Sequence, residues 1–159
     1  MEYKSGDIFI CRGHSWISKA IRWATKSYYN HAAIYIEIWG RPYMMDSSSK
    51  GTNLVPFDEW ENIFRFEYVV YRNSKLKDYK AFNIKAVSKS GHTAYDFHSL
   101  LLRYPIKILT GKWRYKGDKE TERMYCSEYT AWCHDIKDNY RMSPEDLLGY
   151  CKVFFDEVK

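Results

Sequence analysis

Apolar residues never run far in this 159-residue chain: no stretch approaches the roughly 18 consecutive apolar positions that a membrane-spanning helix needs. The N-terminus, MEYKSGDIFI, lacks the basic, apolar and small-residue regions of a signal peptide. Together these absences give the expectation of a soluble, cytoplasmic protein. Cysteine is sparse, with only Cys11, Cys126, Cys133 and Cys151, so free thiols are expected rather than a disulfide framework. Proline and glycine form no linker, and no repeat or low-complexity tract divides the sequence. One domain over residues 1–159 is therefore expected. A zinc site built from Cys126, Cys133 and His134 lacks the short paired spacing of structural sites, so neither metal nor cofactor is expected.

What is present supports a core and an anionic partner. Hydrophobic residues make up 45% of the chain, with 15 Tyr and 6 Trp, enough to bury a substantial interior. The formal net charge is +5, and KILTGKWRYKGDK, Lys107 to Lys119, sets basic groups beside Trp113 and Tyr115. Such a segment suits phosphate, stacked bases or a lipid headgroup, and equally a solvated loop.

Periodicity gives the elements. GDIFIC reads as a short strand, and SWISKAIRWATKS has apolar residues at helical spacing. In NHAAIYIEI, Ala32, Ile34, Ile36 and Ile38 alternate with His31, Ala33, Tyr35 and Glu37, the period of a strand with two faces. WGRP turns the chain, YMMDSSS returns as a second strand, and FRFEYVVYR reads as a further one. Residues Lys77–Ser90 and Tyr95–Tyr104 read as helices, as does the stretch from Tyr125. SPEDLLGYC offers Ser143 as N-cap, Pro144 at the first helical position and two acids in the first turn. Strands clustered early and helices beside them argue an α+β fold with a sheet packed on helices.

In MYCSEYTAWC, Cys126 falls in the first turn of a helix, where unpaired N–H groups and the dipole favour a thiolate. Cys133 lies two turns deeper among Tyr129, Trp132 and Ile136 and reads as core, as do Cys11 and Cys151. A nucleophilic thiol needs a base. His31 begins a strand on the face opposite the isoleucine row, where Ala33 leaves room for a helix to come close. His98 is the strongest competitor, because Tyr95 and Asp96 offer it a cluster of its own; His14, His92 and His134 lack a platform. The third member should orient the imidazole. A two-residue loop at Trp39-Gly40 pairs position 38 with 41 and 33 with 46, which sets Asp46 diagonally across from His31. Trp39 is a poor residue for such a loop, and an odd change in loop length turns Ser47 to that face instead.

In order, GDIF, NHAAIYI, MMDSSSKGTNLVPFDEW, YDF, MYCSEYTAW and SPEDLL resemble the circularly permuted branch of the NlpC-like, papain-fold cysteine hydrolases, especially the YiiX-like group. The resemblance runs from Gly6 to about Phe155. It implies a permuted papain-like fold with an antiparallel sheet, in which the His precedes the Cys. It also implies Cys126 as nucleophile, His31 as base and Asp46 as third member, where other members often carry Glu. Tyr125, directly before the Cys, matches the family pattern and is a candidate oxyanion or substrate contact. The implied activity is hydrolysis of an amide, as in peptidase- or amidase-like enzymes acting on peptidoglycan-derived peptides. Lipid acyl esters are the alternative, through hydrolysis or acyl transfer. The competing class is a non-catalytic module that binds nucleic acid or an anionic membrane through Lys107–Lys119.

Overall fold

The computed structural model describes residues 2–15, 18–19, 22–23, 27–48, 50–65, 67–91, 93, 110, 124–139 and 142–159. Its strands are β1 (Ile8–Arg12), β2 (His31–Ile38), β3 (Arg41–Ser48), β4 (Gly51–Pro56), β5 (Glu67–Arg72) and β6 (Asp156–Glu157). The helices with bounds among the described residues are α1 (Phe57–Phe64), α2 (Tyr79–Val87), α3 (Cys126–Cys133) and α4 (Pro144–Phe154). Ser18, Lys19, Arg22 and Trp23 are helical as well, within the stretch expected to be so. The helix expected over Tyr95–Tyr104 and the basic segment Lys107–Lys119, Thr110 apart, lie outside the described residues.

One six-stranded sheet, in the order β4-β3-β2-β1-β5-β6, carries the α+β fold, and every pairing is antiparallel. Side chains alternate across it. One face presents Phe9, Cys11, Ala33, Tyr35 and Met44 to Trp60 of α1. Rings of Tyr3, Phe9, Phe57, Trp60 and Tyr68 meet there edge-on, tilted or stacked. The other face presents Ile34, Ile36 and Met45 to α2 and α3, and Ile8, Ile10 and Ala32 to α3 and α4. Ile8, Ile10, Ile34 and Ile36 are completely buried, each stabilising the fold by about 1.5–3 kcal/mol relative to an exposed side chain.

The β2–β3 hairpin has the two-residue loop and the register expected, with Ile38 opposite Arg41 and Ala33 opposite Asp46. Trp39 takes φ 51° and Gly40 φ 72°, the left-handed pair this turn requires, although Trp disfavours it. The buried rows on both faces of β2 and β3 fix the register, because a slip of one residue would exchange them.

Three elements escaped the periodicity. α1 starts directly after Pro56 with Asp58 and Glu59 in its first turn, β4 extends the sheet beyond β3, and β6 adds two residues at the far edge. Gly51 begins β4 at φ 90°, and a Cβ there would lie 2.9 Å from the Thr93 carbonyl. Only glycine lets that backbone come so close. In the GDIF segment, Asp7 is buried and accepts from Arg72 Nε at 2.8 Å and Nη2 at 2.7 Å, tying the N-terminus to β5. α4 has the capping box read from its sequence, with the Ser143 hydroxyl accepting from the Asp146 N–H and Pro144 at its start.

Candidate active site

β2 begins with His31, and β3 returns antiparallel with Asp46 opposite Ala33, two residues beyond His31. That register sets the two side chains diagonally on one face, and His31 Nε2 and Asp46 Oδ1 are 2.6 Å apart. Asp46 is 2% exposed and His31 9%, so the pair is held away from bulk water. With Nε2 committed to Asp46, Nδ1 is the nitrogen left for another partner. The Cys126 thiol acts on the same imidazole, its charge and hydrogen bonding both favouring the protonated ring. Burial opposes a charge on His31, but Asp46 and Cys126 outweigh it and raise the pKa well above the ordinary imidazole value. A charge-poised ring between a carboxylate and a thiol is an arrangement for moving a proton to and from sulfur.

Cys126 is the first residue of α3. Tyr125 is its N-cap, extended at φ −87° and ψ 168°, buried, and making no side-chain cap bond. Tyr125 thus does not cap the first-turn N–H groups around the thiol, and a helix start favours negative charge. Thr130 donates its hydroxyl to the Cys126 carbonyl at 2.9 Å, and Ser127 donates to the Met142 carbonyl at 2.7 Å.

The route by which the helix reaches the histidine differs from the sequence expectation. α3 packs its Tyr129 and Cys133 against the isoleucine row, not against the face that His31 and Ala33 share. Trp60 of α1 occupies the space over Ala33 instead. The imidazole and the thiol are presented by the first residue of β2 and the first residue of α3. Ser47 does not substitute for Asp46: it points to the opposite face and donates to the Met124 carbonyl at 3.0 Å.

The other candidates separate cleanly where the structure describes them. Cys133 sits in the core beside Tyr129, and burial raises its pKa to about 12. Burial raises Cys151 to about 12 as well. Cys11 pairs with His31 across β1 and β2, and burial, reinforced by the charges of Asp46 and Cys126, lifts its pKa well above the ordinary thiol value. His14 is exposed and faces Glu67 at 3.5 Å. His134 caps the C-terminus of α3 and packs on Phe82 and Phe155. The cluster of Tyr95, Asp96 and His98, and His92, lie outside the described residues. Sequence reasoning missed Ser47 as a support, Thr130 and the closeness of Cys11. Only Thr130, four residues after Cys126 on a helix, left a local signal.

No family model and no curated protein matches the chain. Among solved structures, the protein YiiX of Escherichia coli O157:H7, described as a metalloprotein of DUF1105, is similar over 100% of this chain and 98% of its own. The TM-score is 0.63 and the identity 19%, a likeness of fold. Among the described residues no group of three or more His, Cys, Asp or Glu side chains is gathered as a metal site. No helix among the described residues is long and apolar enough to cross a membrane.

Proposed function

We propose that this chain is a cysteine-dependent hydrolase on a circularly permuted NlpC-like papain fold of the YiiX-like group, cleaving an amide bond through Cys126, His31 and Asp46. The observation that carries it is the imidazole of His31, bonded to Asp46 at 2.6 Å and influenced by the helix-start thiol of Cys126. The order of the site in the chain, His on an early strand and Cys on a late helix, supports the permuted form.

In this reading His31 takes the Cys126 proton and Asp46 stabilises the imidazolium that results. The thiolate attacks the substrate carbonyl carbon. The tetrahedral oxyanion is received by the Cys126 N–H and a second donor, for which Tyr125 is the candidate the family resemblance supplies. As the C–N bond breaks, His31 returns the proton to the leaving amine. Water, deprotonated by His31, then attacks the thioester and releases the acid and the free thiol.

The substrate class is a peptide amide, with peptidoglycan-derived peptides as the first to try. The basic, aromatic segment Lys107–Lys119 and the net charge of +5 keep a lipid acyl ester at an anionic surface as the second reading. The test is hydrolysis of peptidoglycan stem peptides and of long-chain acyl esters by wild type and Cys126→Ala. Amide cleavage that falls by about a thousandfold or more in Cys126→Ala is the expected result. Cleavage of esters alone moves the substrate to lipids. Turnover unchanged by Cys126→Ala, or binding to nucleic acid or vesicles with no turnover of either substrate, overturns the hydrolase.

A further inference from the structure

Successive residues of a strand point to opposite faces, and in β3 both members of one such pair reach the site. Asp46 turns toward α1's face of the sheet and binds the His31 imidazole at 2.6 Å. Ser47 turns the other way and donates its hydroxyl to the carbonyl of Met124 at 3.0 Å. Both are almost wholly shut off from solvent, at 2% and 0% exposure. Met124 is two residues before Cys126. The hydrogen-bond ladder of α3 begins one residue later, with the Tyr129 N–H on the Tyr125 carbonyl. The Met124 carbonyl therefore lies outside the ladder, in a buried position where an acceptor needs a donor.

We infer that Ser47 is a positioning residue for the nucleophile, holding the start of α3 against the same strand that holds the base. This rests on reading Cys126 as the nucleophile. Two further side-chain bonds at the helix start lead elsewhere: Thr130 bonds within the helix, and Ser127 bonds the Met142 carbonyl just before α4. Ser47 links the thiol's segment to β3. Because Asp46 and Ser47 are joined by one peptide bond, the separation of thiol and imidazole is set by one rigid stretch of backbone, not by two elements free to shift past each other. A fixed separation is what proton transfer between sulfur and nitrogen needs, since small displacements of reacting groups cost large factors in rate. Ser47 touches neither reacting atom; it acts through Met124 and the helix start.

The experiment is alkylation of Cys126 by iodoacetamide, followed by peptide mass spectrometry across pH, in wild type, Ser47→Ala and Ser47→Thr. Each variant's melting temperature is measured beside it. In Ser47→Ala the Cys126 rate near neutral pH should fall about tenfold, with a changed pH profile. Ser47→Thr keeps the hydroxyl and should recover most of the wild-type profile. A Ser47→Ala profile superimposable on wild type overturns the inference. So does an equal loss in both variants that follows their melting temperatures, the mark of a purely structural serine. The readout needs no substrate, so it separates the two claims. Hydrolysis that survives Cys126→Ala removes the proposed function, whereas an unmoved alkylation profile in Ser47→Ala removes only the positioning role.

Discussion

A histidine belongs to each end of α3, His31 of β2 at its start and His134 at its C-cap, and the fold treats them in opposite ways. At the N-terminal end the His31 ring lies between Asp46 and Cys126 and its pKa is raised. At the C-terminal end both ring nitrogens of His134 are closed off from solvent without a well-formed hydrogen bond. Burial lowers its pKa to about 4, against an upward effect of the Gly6 backbone, with Lys85 lowering it further and Asp135 raising it. A helix C-terminus by itself favours a protonated imidazole, yet burial prevails there. Position on the helix is thus secondary to partners. Without a carboxylate bonded to it, an enclosed imidazole stays neutral; with one, it holds a charge that a thiolate can use.

Removing the carboxylate breaks the comparison most sharply. Asp46→Ala should make His31 resemble His134, with loss of about a thousandfold in turnover of a verified substrate, while Asp46→Asn keeps a hydrogen-bonding group and should lose about a hundredfold. Melting temperatures measured alongside separate this from unfolding. Wild-type turnover in Asp46→Ala would show that the carboxylate is not the orienting group.

A second contrast lies in stability against pH, where the two histidines act with opposite sign. His134 has a folded pKa below its unfolded value, so the unfolded chain binds the proton first and stability falls as pH drops from about 6.5 toward 4, by up to about 3 kcal/mol. His31 has a folded pKa above its unfolded value. Its contribution is fully present below about 6.5 and is lost as pH rises through the raised folded value. Denaturant unfolding of His134→Leu between pH 7 and 4 should therefore lack most of the acid loss seen in wild type. Identical acid slopes in the two proteins would contradict the account of His134.

What could be read from the sequence was local or set by alternation. The hairpin register followed from the alternation in NHAAIYIEI and a two-residue loop at Trp39-Gly40, the helix from Tyr125 onward from the spacing of Tyr129, Trp132, Cys133 and Ile136, and the start of α4 from Ser143, Pro144 and Glu145-Asp146. Those signals gave Cys126, His31 and Asp46 and placed Asp46 beside the ring. The face on which α3 packs could not be read, because Ala33 and the isoleucines are both acceptable floors for a helix. Trp60 on α1 takes the Ala33 side, and nothing near His31 in sequence announces that competitor. Ser47 was visible only as a substitute for Asp46 under a shifted register; its bond to Met124 spans 77 residues and leaves no pattern. α1 did leave one, a proline followed by acids, hidden by its closeness to the end of β4.

The central claim is that Cys126 is singled out by its partner and not by access. All four thiols are enclosed, with Cys11 at 0%, Cys126 at 1%, Cys133 at 2% and Cys151 at 0% exposure, so exposure does not rank them. The direct measurement is competitive labelling of the four cysteines by a small alkylating agent near neutral pH, mapped by mass spectrometry in wild type and His31→Ala. Fastest labelling at Cys126, slowed in His31→Ala, is the predicted result. Faster labelling of Cys133, or a Cys126 rate unchanged by loss of His31, would contradict it.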